Sequence, residues 1–137
     1  LCIVNRSADR LENLLSYIQP IAREKGIPIK GFNPQDTGLE FADHTLIINA
    51  TSLGLNSSDP LPIPEERLPQ TAALYDMIYN PRITKLMRTV SDRGGRSANG
   101  LSMLVYQGVR ALEIWSDRKI DPRTMKQAAN SALATKA

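Results

Sequence analysis

Short apolar runs alternate along this sequence with longer segments in which apolar residues recur every three or four positions. The runs have the length and composition of buried strands and lie at residues 1–4, 28–32, 45–49 and 73–78, with a very short one at 96–98. The longer segments predict amphipathic helices at 8–25, from 83 to near Gly94, at 100–115 and from 121 to about 134. Strands that alternate with helices imply right-handed crossovers, so we predict an α/β fold with a doubly wound parallel sheet.

The pattern also predicts how some of these elements are covered and where the first helix ends. The run 45–49 is nearly all apolar, which indicates a strand with helices over both faces. The helix at 100–115 has a broad apolar face and should be well buried. Ser7 is a natural N-cap for the first helix and Gly26 a natural stop, whereas Pro20 should kink that helix or end it early.

Composition places the chain among ordinary soluble domains. Its 137 residues are 42% hydrophobic and 23% charged, and no apolar run approaches the roughly 20 residues of a membrane span. The net charge of +3 comes from scattered lysines and arginines, which argues against nucleic acid as a partner. Cys2 is the single cysteine, and we expect it to serve as a small buried apolar residue rather than as a nucleophile. These features predict a cytoplasmic protein that contacts no membrane.

The first candidate site lies where the first predicted strand runs into the first helix, at Asn5, Arg6 and Ser7. In a dinucleotide-binding fold this position meets the adenosine ribose, where NAD enzymes usually place a carboxylate. Arg6 instead offers a planar set of donors, and Arg10 adds a cation one turn later. Together with the Ser7 hydroxyl and the helix N-terminus, this pattern favours a pocket for a 2′-phosphate. The alternative is that both arginines are ordinary surface charges and that Asp9 pairs with them locally.

Three further segments place small and polar residues directly after a predicted strand. They are INATSLG at 48–54, YDMIYNP at 75–81 with Thr84 beyond it, and NGLSMLVYQ at 99–107. Ligands of open α/β sheets bind beyond the carboxyl ends of the strands, where small residues let a cofactor approach the backbone. A buried Asp76 needs hydrogen-bonding partners, Met77 can lie against a flat ring, and Tyr79 offers a hydroxyl to a polyol. Each segment also has a structural explanation as a strand-terminating turn.

Taken in order, these motifs make the chain resemble the C-terminal domain of the shikimate dehydrogenase family. The motifs are NRS with Arg10, INATSLG, DMIYNP with Thr84, and NGLSMLVYQG, and they span nearly the whole chain. The resemblance implies an NADP-dependent oxidoreductase that interconverts 3-dehydroshikimate and shikimate in aromatic amino acid biosynthesis. It implies cofactor-binding roles for Asn5, Arg6, Ser7, Arg10, Thr51, Ser52, Met77 and Gly100, and substrate-binding roles for Tyr79 and Gln107.

The sequence departs from the family pattern in two respects. A glycine-rich phosphate loop should lie about 20 residues before the ribose-binding turn, yet four residues precede Asn5. The resemblance therefore implies a sheet that lacks its first strand, and a missing N-terminal substrate domain that carries the catalytic lysine and aspartate. No lysine here occupies the matching motif, and Lys85 is predicted to be a surface charge. We expect residues 1–137 to form an NADP-binding domain that is inactive alone.

Several alternatives stay open at this stage. The same scaffold could act on quinate or prefer NAD, or it could be a non-catalytic nucleotide-binding regulatory module. Oligomeric state, including a homodimer, is also undetermined. His44 beside Asp43 invites a reading as a general base, but it lies outside every motif, so we do not assign it. A single cysteine and a single histidine do not predict a metal site.

Overall fold

A computed structural model describes residues 1–42 and 45–134 of the chain. In chain order its elements are β1 (Cys2–Val4), α1 (Ala8–Glu24), β2 (Lys30–Phe32), β3 (Leu46–Asn49), β4 (Ala73–Asp76), α2 (Lys85–Asp92), β5 (Arg96–Asn99), α3 (Leu101–Ser116) and α4 (Pro122–Ala134), with a 3₁₀ turn at Glu65–Arg67. Every described strand pair is parallel, which confirms the predicted α/β class. Two compact units are present, one formed by 1–42 with 63–68 and the other by 45–62 with 69–134.

The first unit contains a crossover in which α1 links the parallel strands β1 and β2. Ile3 lies opposite Gly31 in this pair. Leu11 and Leu15 of α1 contact that position so closely that a Cβ on Gly31 would overlap the Leu15 side chain. The glycine therefore allows the helix to pack directly on the strand.

The ends of α1 follow from its sequence, with one exception. Ser7 precedes the helix in an extended conformation, although its side chain forms no capping hydrogen bond. Gly26 follows the helix with a φ of 65°, a conformation that favours glycine. Pro20 does not end the helix early, because α1 continues to Glu24. Pro20 is exposed, so water can solvate the carbonyl that loses its amide partner.

The second unit is built on the parallel sheet β3–β4–β5, in that order. Its register aligns Asn49, Asp76 and Asn99, the last residues of the three strands. The crossover helix α2 buries its apolar face, which consists of Leu86, Met87 and Val90. The helix α3 follows β5 after a single residue and buries Leu101, Val105 and Val109. Three strand ends and two helix starts thus meet at one edge of the sheet.

Three expectations about burial are wrong. Leu46 and Ile48 of β3 are 61% and 60% exposed, so this strand is not covered on both faces. Trp115 near the end of α3 is 80% exposed, so the helix is buried over part of its length only. Cys2 is also exposed. In each case the pattern shows that a residue is apolar, whereas its burial depends on another element lying over it.

Two further expectations concern what the described residues do not contain. None of the described helices is long and apolar enough to cross a membrane. Within residues 1–42 and 45–134, no three His, Cys, Asp or Glu side chains are grouped so that they could hold a metal ion. Asp43 and His44 lie outside the described residues.

Candidate functional site

In the first unit, the turn Asn5–Ser7 is held by its backbone and by two amide side chains, those of Asn5 and Asn33. The Asn5 amide donates to the carbonyl of Phe32 (3.1 Å), which extends the pairing of β1 with β2. The Asn5 side-chain oxygen accepts from the Ser7 amide (2.9 Å). Asn33 donates to the Arg6 carbonyl (3.2 Å). The turn is therefore fixed without use of the Arg6 guanidinium or the Ser7 hydroxyl.

The two arginines at this turn, Arg6 and Arg10, form no ion pair with another described residue. Arg6 and Arg10 are both exposed. Among the described residues, the ion pairs are Lys25–Glu24, Arg110–Glu113, Lys119–Glu113 and Arg123–Asp121. Asp9 thus does not neutralise either arginine, which removes the support for the local-pairing alternative. Two cations and a hydroxyl remain available to an anion here.

In the second unit, a cleft of about 320 Å³ opens at the carboxyl ends of β3 and β4. It is lined by Ala50, Thr51, Leu55, Met77, Ile78, Tyr79 and Asn80. Thr51, Met77 and Tyr79, three of the residues singled out from the sequence, share this cleft. Met77 and Tyr79 are 37% and 39% exposed, so both residues are partly accessible from solvent.

Beneath the cleft lies a buried carboxylate with three hydrogen-bond donors. Asp76 is 0% exposed. One of its oxygens accepts from the Asn49 side chain (3.1 Å) and from the Ile78 amide (3.1 Å). The other accepts from the hydroxyl of Thr84 (2.6 Å). The partners that a buried carboxylate requires are therefore all present.

These partners connect Asp76 to the segments that form the cleft wall. The Asn49 oxygen accepts from the Thr51 amide (3.1 Å) and from the Thr51 hydroxyl (2.8 Å). The Thr51 hydroxyl in turn accepts from the Leu53 amide (3.1 Å). On the other side, the Thr84 hydroxyl accepts from the Met87 amide (3.2 Å) and so caps α2.

Gly100 follows the carboxyl end of β5 and packs against the turn that contains Met77 and Ile78. Its amide donates to the Ile78 carbonyl (3.1 Å), and a Cβ at this position would overlap the carbonyl oxygen of Met77. The Asn99 side chain accepts from the Leu101 amide (3.1 Å), which fixes the start of α3. Close backbone packing against Met77 is thus a structural reason for glycine at position 100.

Two residues singled out from the sequence, Ser52 and Gln107, lie outside the cleft. Ser52 is exposed beside Thr51, and its carbonyl accepts from the Leu55 amide (3.2 Å). Gln107 is exposed on α3. Neither belongs to the set of residues that line the cleft.

The loop after β3 is ordered by a carboxylate that sequence reasoning missed. Asp59 accepts from the amides of Gly54 (2.9 Å) and Asn56 (3.0 Å). The backbone hydrogen bond from Asn56, followed by that from Gly54, lowers the pKa of Asp59. A carboxylate five residues after a glycine and three after an asparagine is a weak signal in sequence, because only the folded loop shows which amides it accepts from.

Comparisons with known proteins relate the chain to one family of enzymes. Residues 100–129 match the family described as the Shikimate 5′-dehydrogenase C-terminal domain. A shikimate dehydrogenase (NADP(+)) of Methanococcoides burtonii is 34% identical over 131 residues, which make up 96% of this chain and 46% of that protein. The chain therefore spans about half the length of the curated relatives it matches.

Solved structures extend the similarity to the fold. Shikimate 5-dehydrogenase from Thermus thermophilus, in complex with NADP(H) and shikimate, is 29% identical, with a TM-score of 0.71 over 96% of this chain and 46% of that one. Shikimate 5-dehydrogenase from Listeria monocytogenes, in complex with shikimate and NAD, is 25% identical, with a TM-score of 0.78 over 93% and 46%. These are Rossmann-like proteins, and the chain corresponds to the C-terminal region of the shikimate dehydrogenase family.

Proposed function

We propose that residues 1–137 are the NADP-binding part of a two-domain shikimate dehydrogenase, whose substrate domain is a further segment of polypeptide. The observation that carries this proposal is the cleft at the carboxyl ends of β3 and β4, which holds Thr51, Met77 and Tyr79 together. In open α/β sheets this is where ligands bind. The sequence similarity over 96% of the chain supports the same assignment.

NADP fits the residues that the two units present. Arg6 and Arg10 supply two cations without ion-pair partners among the described residues, which suits the 2′-phosphate of NADP rather than the ribose hydroxyl of NAD. Met77 is a partly exposed residue of the cleft, and a thioether suits the flat nicotinamide ring. When bound, the nicotinamide of NADP accepts or donates the hydride.

The remaining assignments concern the cofactor path and the substrate. Asn5 and Ser7 complete the adenosine end, Thr51 and Ser52 line the path of the cofactor, and Gly100 holds the backbone beside the nicotinamide. Tyr79 and Gln107 offer a hydroxyl and an amide to the hydroxyls of shikimate or 3-dehydroshikimate. We infer a cytoplasmic enzyme of aromatic amino acid biosynthesis, and a homodimer remains a prediction.

The base is proposed to come from the substrate domain. Alcohol oxidation requires a group that takes the hydroxyl proton while the hydride leaves. The seven lining residues include no lysine, histidine, aspartate or glutamate. Lys85 is exposed at the first residue of α2 and does not line this cleft.

The test is a side-by-side assay of the two-domain protein with shikimate and quinate, each with NADP and with NAD. We expect the highest kcat/KM for shikimate with NADP. Faster turnover of quinate would move the assignment to a quinate dehydrogenase. Cofactor binding without turnover of either substrate would instead support the non-catalytic nucleotide-binding module.

A further inference from the structure

We propose that Asp76 is a positioning residue, which holds the nicotinamide-facing wall of the cleft through Asn49, Ile78 and Thr84. This inference rests on the proposed function, because it assigns the cleft to the nicotinamide end of NADP. Asp76 does not line the cleft. It therefore acts through the residues to which it is hydrogen-bonded.

The first step of the argument is that water cannot substitute for Asp76. Its side chain is 0% exposed, and both of its oxygens accept from protein donors. A donor that loses its acceptor in such a place must find another protein group or stay unsatisfied. The local backbone then shifts, because a buried donor without a partner is strongly disfavoured.

The second step is that the three donors belong to three different segments, of which Ile78 lines the cleft and Asn49 is bonded to the lining residue Thr51. Asn49 orients Thr51 by accepting its amide and hydroxyl. Ile78 lies between Met77 and Tyr79, so its amide fixes the turn that carries both of these side chains. Thr84 caps α2 and sets where that helix begins. One carboxylate thus links Thr51 to the turn that carries Met77 and Tyr79.

The third step concerns which part of the cofactor should be affected. Asp76 and its three partners all belong to the second unit, whereas the Asn5–Ser7 turn belongs to the first. A disturbance at Asp76 should therefore alter the nicotinamide end of NADP and spare the adenosine end. Adenosine 2′,5′-bisphosphate carries the adenosine end only and serves as the probe for that difference.

The experiment compares Asp76→Asn with wild type in the two-domain protein. We expect kcat for shikimate oxidation to fall by about tenfold to a hundredfold, because a small misplacement of reacting groups has effects of that size. The Kd of NADP should rise, while the Kd of adenosine 2′,5′-bisphosphate, measured by calorimetry, should stay unchanged. Asp92→Asn, which removes an exposed carboxylate of α2, is the matched control and should behave as wild type.

A second pair of variants keeps the test informative if Asp76→Asn does not fold. Thr84→Val removes the hydroxyl that donates to Asp76 at nearly constant volume, whereas Thr84→Ser retains it. We expect Thr84→Val to lower kcat and also the melting temperature, because it removes the cap of α2 as well as the donor to Asp76, and Thr84→Ser to restore most of both. Such rescue by the hydroxyl would not be expected if position 84 served packing alone.

The outcomes separate this inference from the function on which it rests. Active wild type with equally active, folded Asp76→Asn would overturn the role of Asp76 alone. Parallel weakening of NADP and adenosine 2′,5′-bisphosphate would also overturn it, because the damage would then be general. Wild type that neither binds NADP nor oxidises shikimate would overturn the proposed function, and the role of Asp76 would fall with it.

Discussion

At the residue scale, the Arg6 guanidinium gives the sharpest prediction about cofactor choice. In the two-domain protein, Arg6→Ala should weaken NADP far more than NAD, because only NADP carries the 2′-phosphate. A charge-assisted hydrogen bond contributes about 1.5 to 3 kcal/mol, so the Kd of NADP should rise roughly ten- to a hundredfold. Calorimetric titration with both cofactors measures the difference.

The control for Arg6 is another exposed arginine of the same unit. Arg23 lies in the last turn of α1, away from the Asn5–Ser7 turn in sequence. Arg23→Ala should leave both affinities unchanged. If Arg6→Ala weakened NADP and NAD equally, the assignment of a 2′-phosphate pocket would be wrong.

The glycine at position 100 gives a prediction about stability. Gly100→Ala places a Cβ against the carbonyl oxygen of Met77, and backbone atoms cannot move aside as a side-chain tip can. Overpacking of this kind typically costs about 1 to 3 kcal/mol of unfolding free energy. Denaturant-induced unfolding followed by circular dichroism measures the loss.

Gly108, which lies within α3, provides the control substitution for Gly100→Ala. There an added Cβ would meet only the side chain of Met125, whose sulfur at 3.1 Å lies near the flexible end of a long side chain. Gly108→Ala should be at least as stable as wild type, since alanine favours a helix interior by about 1 kcal/mol over glycine. Equal effects at positions 100 and 108 would contradict the steric explanation for Gly100.

The sequence pointed to residues that share a cleft but not to the hydrogen bonds that connect them. The apolar runs and the small residues after them pointed to Thr51, Met77 and Tyr79, which do share a cleft. The alignment of Asn49 with Asp76 was not predictable, because it depends on the register between strands that are far apart in sequence. The partners of Asp76 therefore became visible only in the folded chain.

At the element scale, helix ends were predictable where a cap or a glycine marks them. α1 spans Ala8–Glu24 and α3 spans Leu101–Ser116, each within two residues of the predicted bounds. The coverage of β3 was not predictable, since an apolar run shows only that burial would be favourable. Leu46 and Ile48 are exposed, although the run has the composition of a strand buried on both faces.

The loop at 54–59 gives a prediction about pH. Hydrogen bonds from Asn56 and Gly54 lower the pKa of Asp59, so the carboxylate form is favoured in the folded loop. Its contribution to loop order is fully present above the ordinary aspartate pKa and is lost as the pH falls through the lowered value. The amide resonances of Gly54 and Asn56 should therefore shift, and their protection factors against hydrogen exchange should fall, only under strongly acidic conditions.

Asp59→Asn is the control for that titration. It keeps an acceptor of the same shape but removes the charge and the titration. We expect the two amides to have lower protection factors already at neutral pH, and their resonances to show no titration of residue 59 on acidification. A loop that titrates identically in wild type and Asp59→Asn would mean that another group orders it.

At the scale of the whole molecule, the alternation of strands and helices was sufficient to predict parallel pairing and the α/β class. It was not sufficient to predict the division into two units, because that depends on how the long segment between β3 and β4 is shared. Residues 63–68 belong to the first unit, while the segments on either side belong to the second. Such an exchange between units leaves no periodic signal in the sequence.

The last prediction concerns the chain of 137 residues expressed alone. The cleft offers side chains for a flat ring and a polyol, but its lining residues include no lysine, histidine or carboxylate that could take a proton. Hydride transfer from an alcohol stalls without such a base. We therefore expect no shikimate-dependent reduction of NADP in a spectrophotometric assay. Weak binding of adenosine 2′,5′-bisphosphate should persist and be lost in Arg6→Ala, because that turn is complete within the first unit. Measurable turnover by the chain alone would show that the base and the other catalytic residues lie within residues 1–137.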